Sequence, residues 1–193
     1  MPCNLLSAES FGLASPVCST KMDFATGMNS LSQAVRLYQK IGYPVIFTSI
    51  LSGEGLDELK NALANRLSVL VGKSGVGKTS LLNTLQPGLA LKINQVSGST
   101  GKGRHTTSNL EMVSLAGGGS VVDTPGMREF DLWEVQNSDL ALYFPEMRPY
   151  ADKCRFKLDC LHQHEPGCAV VAAVEQGKVS QQRYGSYIKL LQG

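Results

Sequence analysis

The stretch "LSVLVGKSGVGKTSLLNTLQ" (67–86) constrains the fold more than any other part of the chain. An apolar run leads directly into Gly72-x4-Gly77-Lys78-Thr79, and a helix-forming segment follows, closed by Pro87-Gly88. Strand, glycine-rich loop and helix in that order are the context that a phosphate cradle requires. The glycines let backbone N–H groups turn toward a β-phosphate, and Lys78 neutralises β/γ charge. The Thr79 hydroxyl suits Mg²⁺, while the helix N-terminus favours an anion. The predicted nucleotide contacts of this loop are Gly72, Ser74, Gly75, Val76, Gly77, Lys78, Thr79 and Ser80. The loop alone does not distinguish ATP from GTP.

The surrounding pattern is that of an α/β protein. "NSLSQAVRLYQKIG" places Leu31, Val35 and Tyr38 on one helical face, and "YPVIFTS" reads as a buried strand. "GLDELKNALANRL" predicts a helix with Leu56, Leu59 and Leu63 inward. "LEMVSL" and "SVVDTPG" read as a strand pair around "AGGG". Residues 1–20 are weakly patterned, because Pro2, Gly12 and Pro16 interrupt any element, and "LALKINQVSGSTGKGRHTTSN" reads as a mobile loop. Strands alternating with helices predict a mostly parallel sheet with ligands at the strand carboxyl ends. From about residue 140 the chain becomes richer in Cys, His, Tyr and basic residues. This predicts a main domain over 1–140 and a small, mainly helical domain over 141–193.

Hydrophobic content of 42% and charged content of 18% fit a globular chain rather than a disordered one. No apolar run is long enough for a transmembrane helix, and the N-terminus lacks secretory features, so a cytoplasmic location is expected. The net charge of +2 is small, yet no acidic residue falls between Glu58 and Glu111. Lys60, Arg66, Lys73, Lys78, Lys92, Lys102 and Arg104 all do, which suits a polyanionic ligand.

Asp123-Thr124-Pro125-Gly126 ends an apolar strand, where an aspartate can hold Mg²⁺ through water and Gly126 can offer its N–H to a γ-phosphate. It matches the DxxG motif of GTPases. A GTPase also needs a guanine reader, and nothing after residue 126 provides one. Upstream, "Ser19-Thr20-Lys21-Met22-Asp23" fits, with Thr20 in the place of an asparagine. Asp23 would accept both the guanine N1–H and its exocyclic amine, and the Lys21 stem would cover the base. Ser49, in "FTSI", stands where a backbone N–H would contact guanine O6. Reader, fifth motif, phosphate loop, switch and DTPG therefore occur in the order of a circularly permuted GTPase.

Three of the five cysteines cluster with a histidine as Cys154-x5-Cys160-x-His162-x5-Cys168. Three thiolates and an imidazole suit one closed, tetrahedral structural Zn²⁺ site. His164 is a second candidate ligand. Arg148, Lys153, Arg155 and Lys157 surround this module.

Together, "GKSGVGKTSLLN", "GKGRHTT", "VVDTPGMREF", "FPEM" and "CRFKLDCLHQHEPGCAV…AVEQGKV…RYGSY" resemble the RsgA (YjeQ/EngC) family over roughly residues 17–193. The resemblance implies a GTPase that hydrolyses GTP with Mg²⁺, is stimulated by the small ribosomal subunit, and acts in its late maturation. Implied partners are that subunit and its rRNA, with no DNA, no membrane and a monomeric chain. Carried over by position, Thr107 would be the switch threonine that binds Mg²⁺ beside Thr79 and Asp123. His105 would orient or activate water, because Met127 occupies the position where many GTPases have a glutamine.

Some features depart from the family. Members begin with an OB-fold domain and a strand feeding Asn-Lys-x-Asp. Here only "FGLASPVC" precedes TKxD, and Pro16 suits a central strand poorly. Thr20 removes a side-chain amide that tethers the guanine loop to the phosphate loop, and one extra residue separates Cys154 from Cys160. The alternative expectation is a truncated ribosome- or rRNA-binding module with weak or no GTP turnover.

Overall fold

The computed structural model describes residues 2–24, 28–89, 111–123 and 135–192; the side chains of residues 2–3, 24, 28–34, 111, 123 and 158 are outside the description. The elements are α1 (Pro2–Ser10), β1 (Val17–Ser19), α2 (Met28–Ile41), β2 (Val45–Phe47), α3 (Leu56–Leu63), β3 (Leu67–Leu70) and α4 (Lys78–Leu85). They continue with β4 (Glu111–Ser114), β5 (Ser120–Asp123), α5 (Arg148–Ala151), α6 (Ala169–Glu175) and α7 (Gln181–Leu191). The chain forms two compact units. One comprises Pro16–Ser32 and Val45–Glu129; the other comprises Met1–Ser15, Gln33–Pro44 and Phe130–Gly193.

In the first unit β1 and β2 pair in parallel, from Val17↔Val45 to Ser19↔Phe47. β3 pairs in parallel with β5, and β4 runs antiparallel on the far side of β5, giving the order β3-β5-β4. α3 contributes Leu59 and Leu63, one turn apart, and α4 contributes Leu81, Leu82 and Leu85. These leucines close over Ile46 and Val121, forming one core beneath the strands. Burial on that scale is the main stabilising term, at roughly 1.5–3 kcal/mol per fully buried aliphatic side chain. On the opposite face of the three-stranded sheet, Val69, Val122 and Met112 share a cross-strand row. Met112 and Leu67 there are 68% and 72% exposed, so the apolar strand expected from "LSVLVG" buries one face only.

Two sequence expectations change here. Residues 2–10 are helical: Pro2 occupies the first helical position, where the missing N–H has no intrahelical partner to lose. The helix ends with the Leu13 N–H donating to the Ala8 carbonyl at 2.8 Å. Pro16 also does not prevent a strand before the reader, because β1 starts one residue later and the ladder needs no N–H from position 16.

The second unit has its own core of Leu6, Leu140, Phe144, Met147, Val170, Ala173, Val179 and Tyr187, with three cysteines embedded in it. Leu6 is 1% exposed, which explains why a weakly amphipathic α1 is held there. The Cys168 Sγ accepts from the Val171 N–H at the start of α6, and Ser180 Oγ accepts from the Gln182 N–H at the start of α7. Each supplies an acceptor to an otherwise unpaired helix-end donor. Among the described residues no helix is long and apolar enough to cross a membrane.

Candidate functional site

The phosphate loop follows β3 and enters α4 through Gly77, whose φ is 99°, with Gly75 at 80°. These left-handed conformations are ones that glycine adopts without steric cost. Lys78 Nζ folds back over the loop and donates to the Gly72 carbonyl at 2.6 Å, with the Lys73 carbonyl 3.5 Å away. Ser74 and Val76 lie in the loop, and Thr79 and Ser80 in the first turn of α4. The register Leu70↔Asp123 brings the backbone of Asp123 to the same carboxyl end of the parallel pair that launches the loop. His105, Thr107 and Gly126 lie outside the described residues, as does the side chain of Asp123.

The reader segment leaves β1 and folds against this loop. The Thr20 hydroxyl donates to the Val76 carbonyl at 2.7 Å, and Lys21 Nζ donates to the Gly75 carbonyl at 3.0 Å. The tether that the missing asparagine was expected to remove is therefore present, because a hydroxyl hydrogen can reach the same kind of acceptor. Lys21 takes φ 60°, which turns the chain so that Asp23 faces β2's end. There the Ser49 hydroxyl donates to Asp23 Oδ1 at 2.7 Å and itself accepts from the Ser52 N–H at 3.2 Å. Ser49 is 1% exposed and its own N–H donates to the Glu54 carbonyl at 3.1 Å. The two segments are further joined by Thr48 N–H to Ser19 carbonyl at 2.8 Å and Met22 N–H to Thr48 carbonyl at 3.2 Å.

Gly55 is a supporting residue that the sequence did not single out. Its φ is 68°, and a Cβ there would overlap the Phe47 carbonyl oxygen at the end of β2. A side chain at 55 would push apart the turn that carries Ser49.

In the second unit Cys154, Cys160, His162 and Cys168 are all buried, and their ligand atoms lie within 4.8 Å of one another. Around a tetrahedral zinc with bonds of about 2.3 Å to sulfur and about 2.05 Å to nitrogen, S···S edges are about 3.8 Å and S···N edges about 3.5 Å. The observed separations are 3.7 Å for Cys154–Cys168 and 3.4 Å from His162 Nδ1 to each of those sulfurs. The donor set and its spacing thus fit a structural Zn²⁺, with Nδ1 as the imidazole ligand. The extra residue between the first two cysteines is absorbed in a short 3₁₀ turn, Lys157–Asp159, with Lys157 at φ 46°. His164 is exposed and is not part of the cluster.

Burial pushes the Cys160 thiol up to about 12 and raises Cys168 as well, while burial lowers His162 against the opposing pull of Glu165. The pocket without a metal thus favours neutral groups, and a divalent ion would have to displace protons from the sulfurs. Backbone amides are already aimed at them: Ala169 N–H donates to Cys154 Sγ at 3.3 Å, and Val171 N–H to Cys168 Sγ at 3.5 Å. Glu165 braces the ligand loop, accepting from the N–H groups of Leu161, Gln163 and His164 at 2.7, 2.8 and 3.1 Å. Partial burial works to raise this carboxyl, but these N–H groups together hold it below its ordinary value. From α7, Tyr184 and Tyr187 donate to the carbonyls of His162 and Leu161 at 2.7 and 2.9 Å.

Comparison with known proteins agrees with this geometry. The family model described as RsgA GTPase matches residues 3–133. A "Small ribosomal subunit biogenesis GTPase RsgA" of Moorella thermoacetica is 52% identical over 155 residues, covering 80% of this chain and 53% of that protein. One of the same name from Gemmatimonas aurantiaca is 47% identical over 187 residues, covering 96% of this chain and 60% of that protein. The chain therefore spans little more than half the length of these curated relatives. Among solved structures, YjeQ from Thermotoga maritima superposes with a TM-score of 0.79 at 34% identity, over 97% of this chain and 62% of that one. YloQ, described as a circularly permuted GTPase, gives 0.75 at 30% identity, over 97% of this chain and 59% of that one. With reader, phosphate loop and DTPG strand in permuted order and a Cys₃His cluster after them, the chain belongs to the RsgA GTPase family.

Proposed function

We propose that this protein binds and hydrolyses GTP, is stimulated by the small ribosomal subunit, and acts in that subunit's late maturation in the cytoplasm. The observation that carries the guanine-nucleotide reading is the seating of the reader on the phosphate loop, Thr20 on Val76 and Lys21 on Gly75. It supports a base site beside a phosphate site. The relatives' names support the ribosomal partner.

In this proposal Asp23, oriented by Ser49, accepts the guanine N1–H and amine, and the Lys21 stem covers the base. The loop N–H groups of residues 72–80 hold the phosphates. Lys78 would exchange its present carbonyl acceptors for β/γ oxygens. Thr79, Thr107 and Asp123 would hold Mg²⁺, which supplies charge neutralisation at the transferring phosphoryl group. Gly126 would sense the γ-phosphate and His105 would orient the attacking water. Cys154, Cys160, His162 and Cys168 would hold one Zn²⁺ as a structural cross-link. Residues 1–140 thus carry the nucleotide chemistry and 141–193 the metal, although the compact units divide the chain differently. The chain acts as a monomer whose basic residues Arg148, Lys153, Arg155 and Lys157 would meet rRNA phosphates, with no role for DNA or a membrane.

The test is phosphate release from GTP and from ATP, with and without purified small subunits. GTP-selective release that rises with subunits is expected. Subunit binding without turnover would leave a binding module instead, and preference for ATP would overturn the guanine assignment.

A further inference from the structure

His162 is buried and takes φ 53°, a left-handed conformation that residues other than glycine adopt rarely. Reversing that angle would swing the imidazole relative to its flanking peptides, away from the Cys154 and Cys168 sulfurs that Nδ1 meets at 3.4 Å. The surroundings must therefore hold the turn. Its amides are gathered by one carboxylate, since Glu165 accepts from the N–H groups of Leu161, Gln163 and His164. Its carbonyls are held by α7: Tyr187 Oη donates to Leu161 at 2.9 Å and Tyr184 Oη to His162 at 2.7 Å. The two tyrosines stand three residues apart, so they share one helical face and can reach consecutive carbonyls. The Tyr187 ring is fully buried, 6.2 Å from the His162 ring and 5.6 Å, edge to face, from that of Phe144. Within the same compact unit α7 is itself anchored, because Arg183 grips Glu146 through Nε and Nη2 with both side chains buried.

None of these five hydrogen bonds uses a metal-ligand atom, so the turn can be ordered while Nδ1 and the sulfurs stay available to an ion. An ion that had to order a loose turn would bind more weakly by the cost of that ordering. We propose that Tyr184 and Tyr187 are positioning residues for the metal site: by holding the carbonyls of His162 and Leu161, they keep His162 left-handed, with Nδ1 toward the sulfurs, before an ion arrives. Each acts through the backbone of the ligand turn rather than by touching the metal. Their role rests on the assignment of Cys154, Cys160, His162 and Cys168 as zinc ligands.

The test uses the full chain with three variants. Tyr184→Phe and Tyr187→Phe keep the rings and delete only the hydroxyls, whereas Ser186→Ala deletes a hydroxyl of the same helix that donates to the Gln182 carbonyl instead. Two quantities are measured with the thiols kept reduced: zinc affinity by competition with a chromophoric chelator, and amide exchange with and without zinc. In the metal-free unmodified protein the amides of Leu161, Gln163 and His164 should already be protected. Each tyrosine variant should lose about tenfold in zinc affinity, the size expected when a group that orients a metal ligand is removed. In the metal-free form its exchange at 161–164 should rise while α6 keeps its protection, and zinc should restore the protection. Ser186→Ala should match the unmodified protein in both measurements. Unchanged zinc affinity in both tyrosine variants would overturn the proposal. So would a rise in exchange that is equal in α6 and at 161–164, or a turn that is unprotected in the metal-free unmodified protein. If the unmodified protein takes up no zinc, the metal assignment fails, and the exchange pattern still shows whether the tyrosines hold the turn.

Discussion

The Thr20 hydroxyl and the Val76 carbonyl meet at 2.7 Å across 56 residues of sequence. A net hydrogen bond of this kind contributes about 1 kcal/mol. Thr20→Val keeps the shape and removes the donor, so guanine-nucleotide affinity should fall about fivefold. Thr20→Asn restores a donor and should recover it. Titration with a fluorescent guanine nucleotide measures both, and equal affinity in all three proteins would show that the contact holds nothing.

Ser49→Ala leaves the Asp23 carboxylate without its buried donor and takes an acceptor from the Ser52 N–H. The expected loss is about 1–2 kcal/mol, or roughly five- to thirtyfold in affinity for guanine nucleotides. Affinity for adenine nucleotides should not change, so the ratio of the two is the measurement.

Gly55→Ala forces a Cβ into the Phe47 carbonyl oxygen at a positive φ. A cost of about 3 kcal/mol or more is expected, enough to lower the melting temperature by about 10 °C. The effect should be seen in nucleotide-free protein and should leave zinc content unchanged, because Gly55 and the metal ligands belong to different compact units.

Glu165 is held below its ordinary carboxyl value against the raising effect of burial, by the N–H groups it accepts. Its contribution is therefore complete above the usual carboxylate range and is lost as the pH falls through the folded-state value. Glu165→Gln should lower the melting temperature at pH 7, and the gap from the unmodified protein should close in acid. A gap that widens in acid would contradict the sign.

Burial raises the thiols of Cys160 and Cys168, so zinc must displace their protons. Adding zinc to the metal-free protein at pH 7 should release at least about two protons, read with an indicator dye in weak buffer. Cys160→Ser should abolish stoichiometric zinc and loosen the core that the cysteine shares with Phe144 and Tyr187.

The features legible in the sequence are those set by local spacing. Gly72 to Thr79 announce a turn between strand and helix, and the four candidate metal ligands fall within 15 residues, so pattern alone nominates them. Thr20 was legible as a departure but not as a replacement, since its acceptor lies far along the chain. α1 was missed because Pro2 reads as an interruption unless it is the first helical residue, and Leu6 is explained only by the core it enters. Arg183 and Glu146 are 37 residues apart, and nothing in either neighbourhood identifies the other as its partner. Gly55 looks like an ordinary turn glycine until the Phe47 carbonyl is placed against it.

The permuted order also sets a schedule for synthesis. β1 and β2 pair across only 28 residues, so both strands of this small sheet have been synthesised once Phe47 has emerged. The carbonyls of Gly75 and Val76, which Lys21 and Thr20 seek, arrive later. β5, which completes the ladder beside β3, arrives later still. A nascent chain thus contains both segments of the proposed base-reading corner before the loop proposed to seat the phosphates. On the proposed site assignment, nucleotide capture would wait until the later part of the fold has formed.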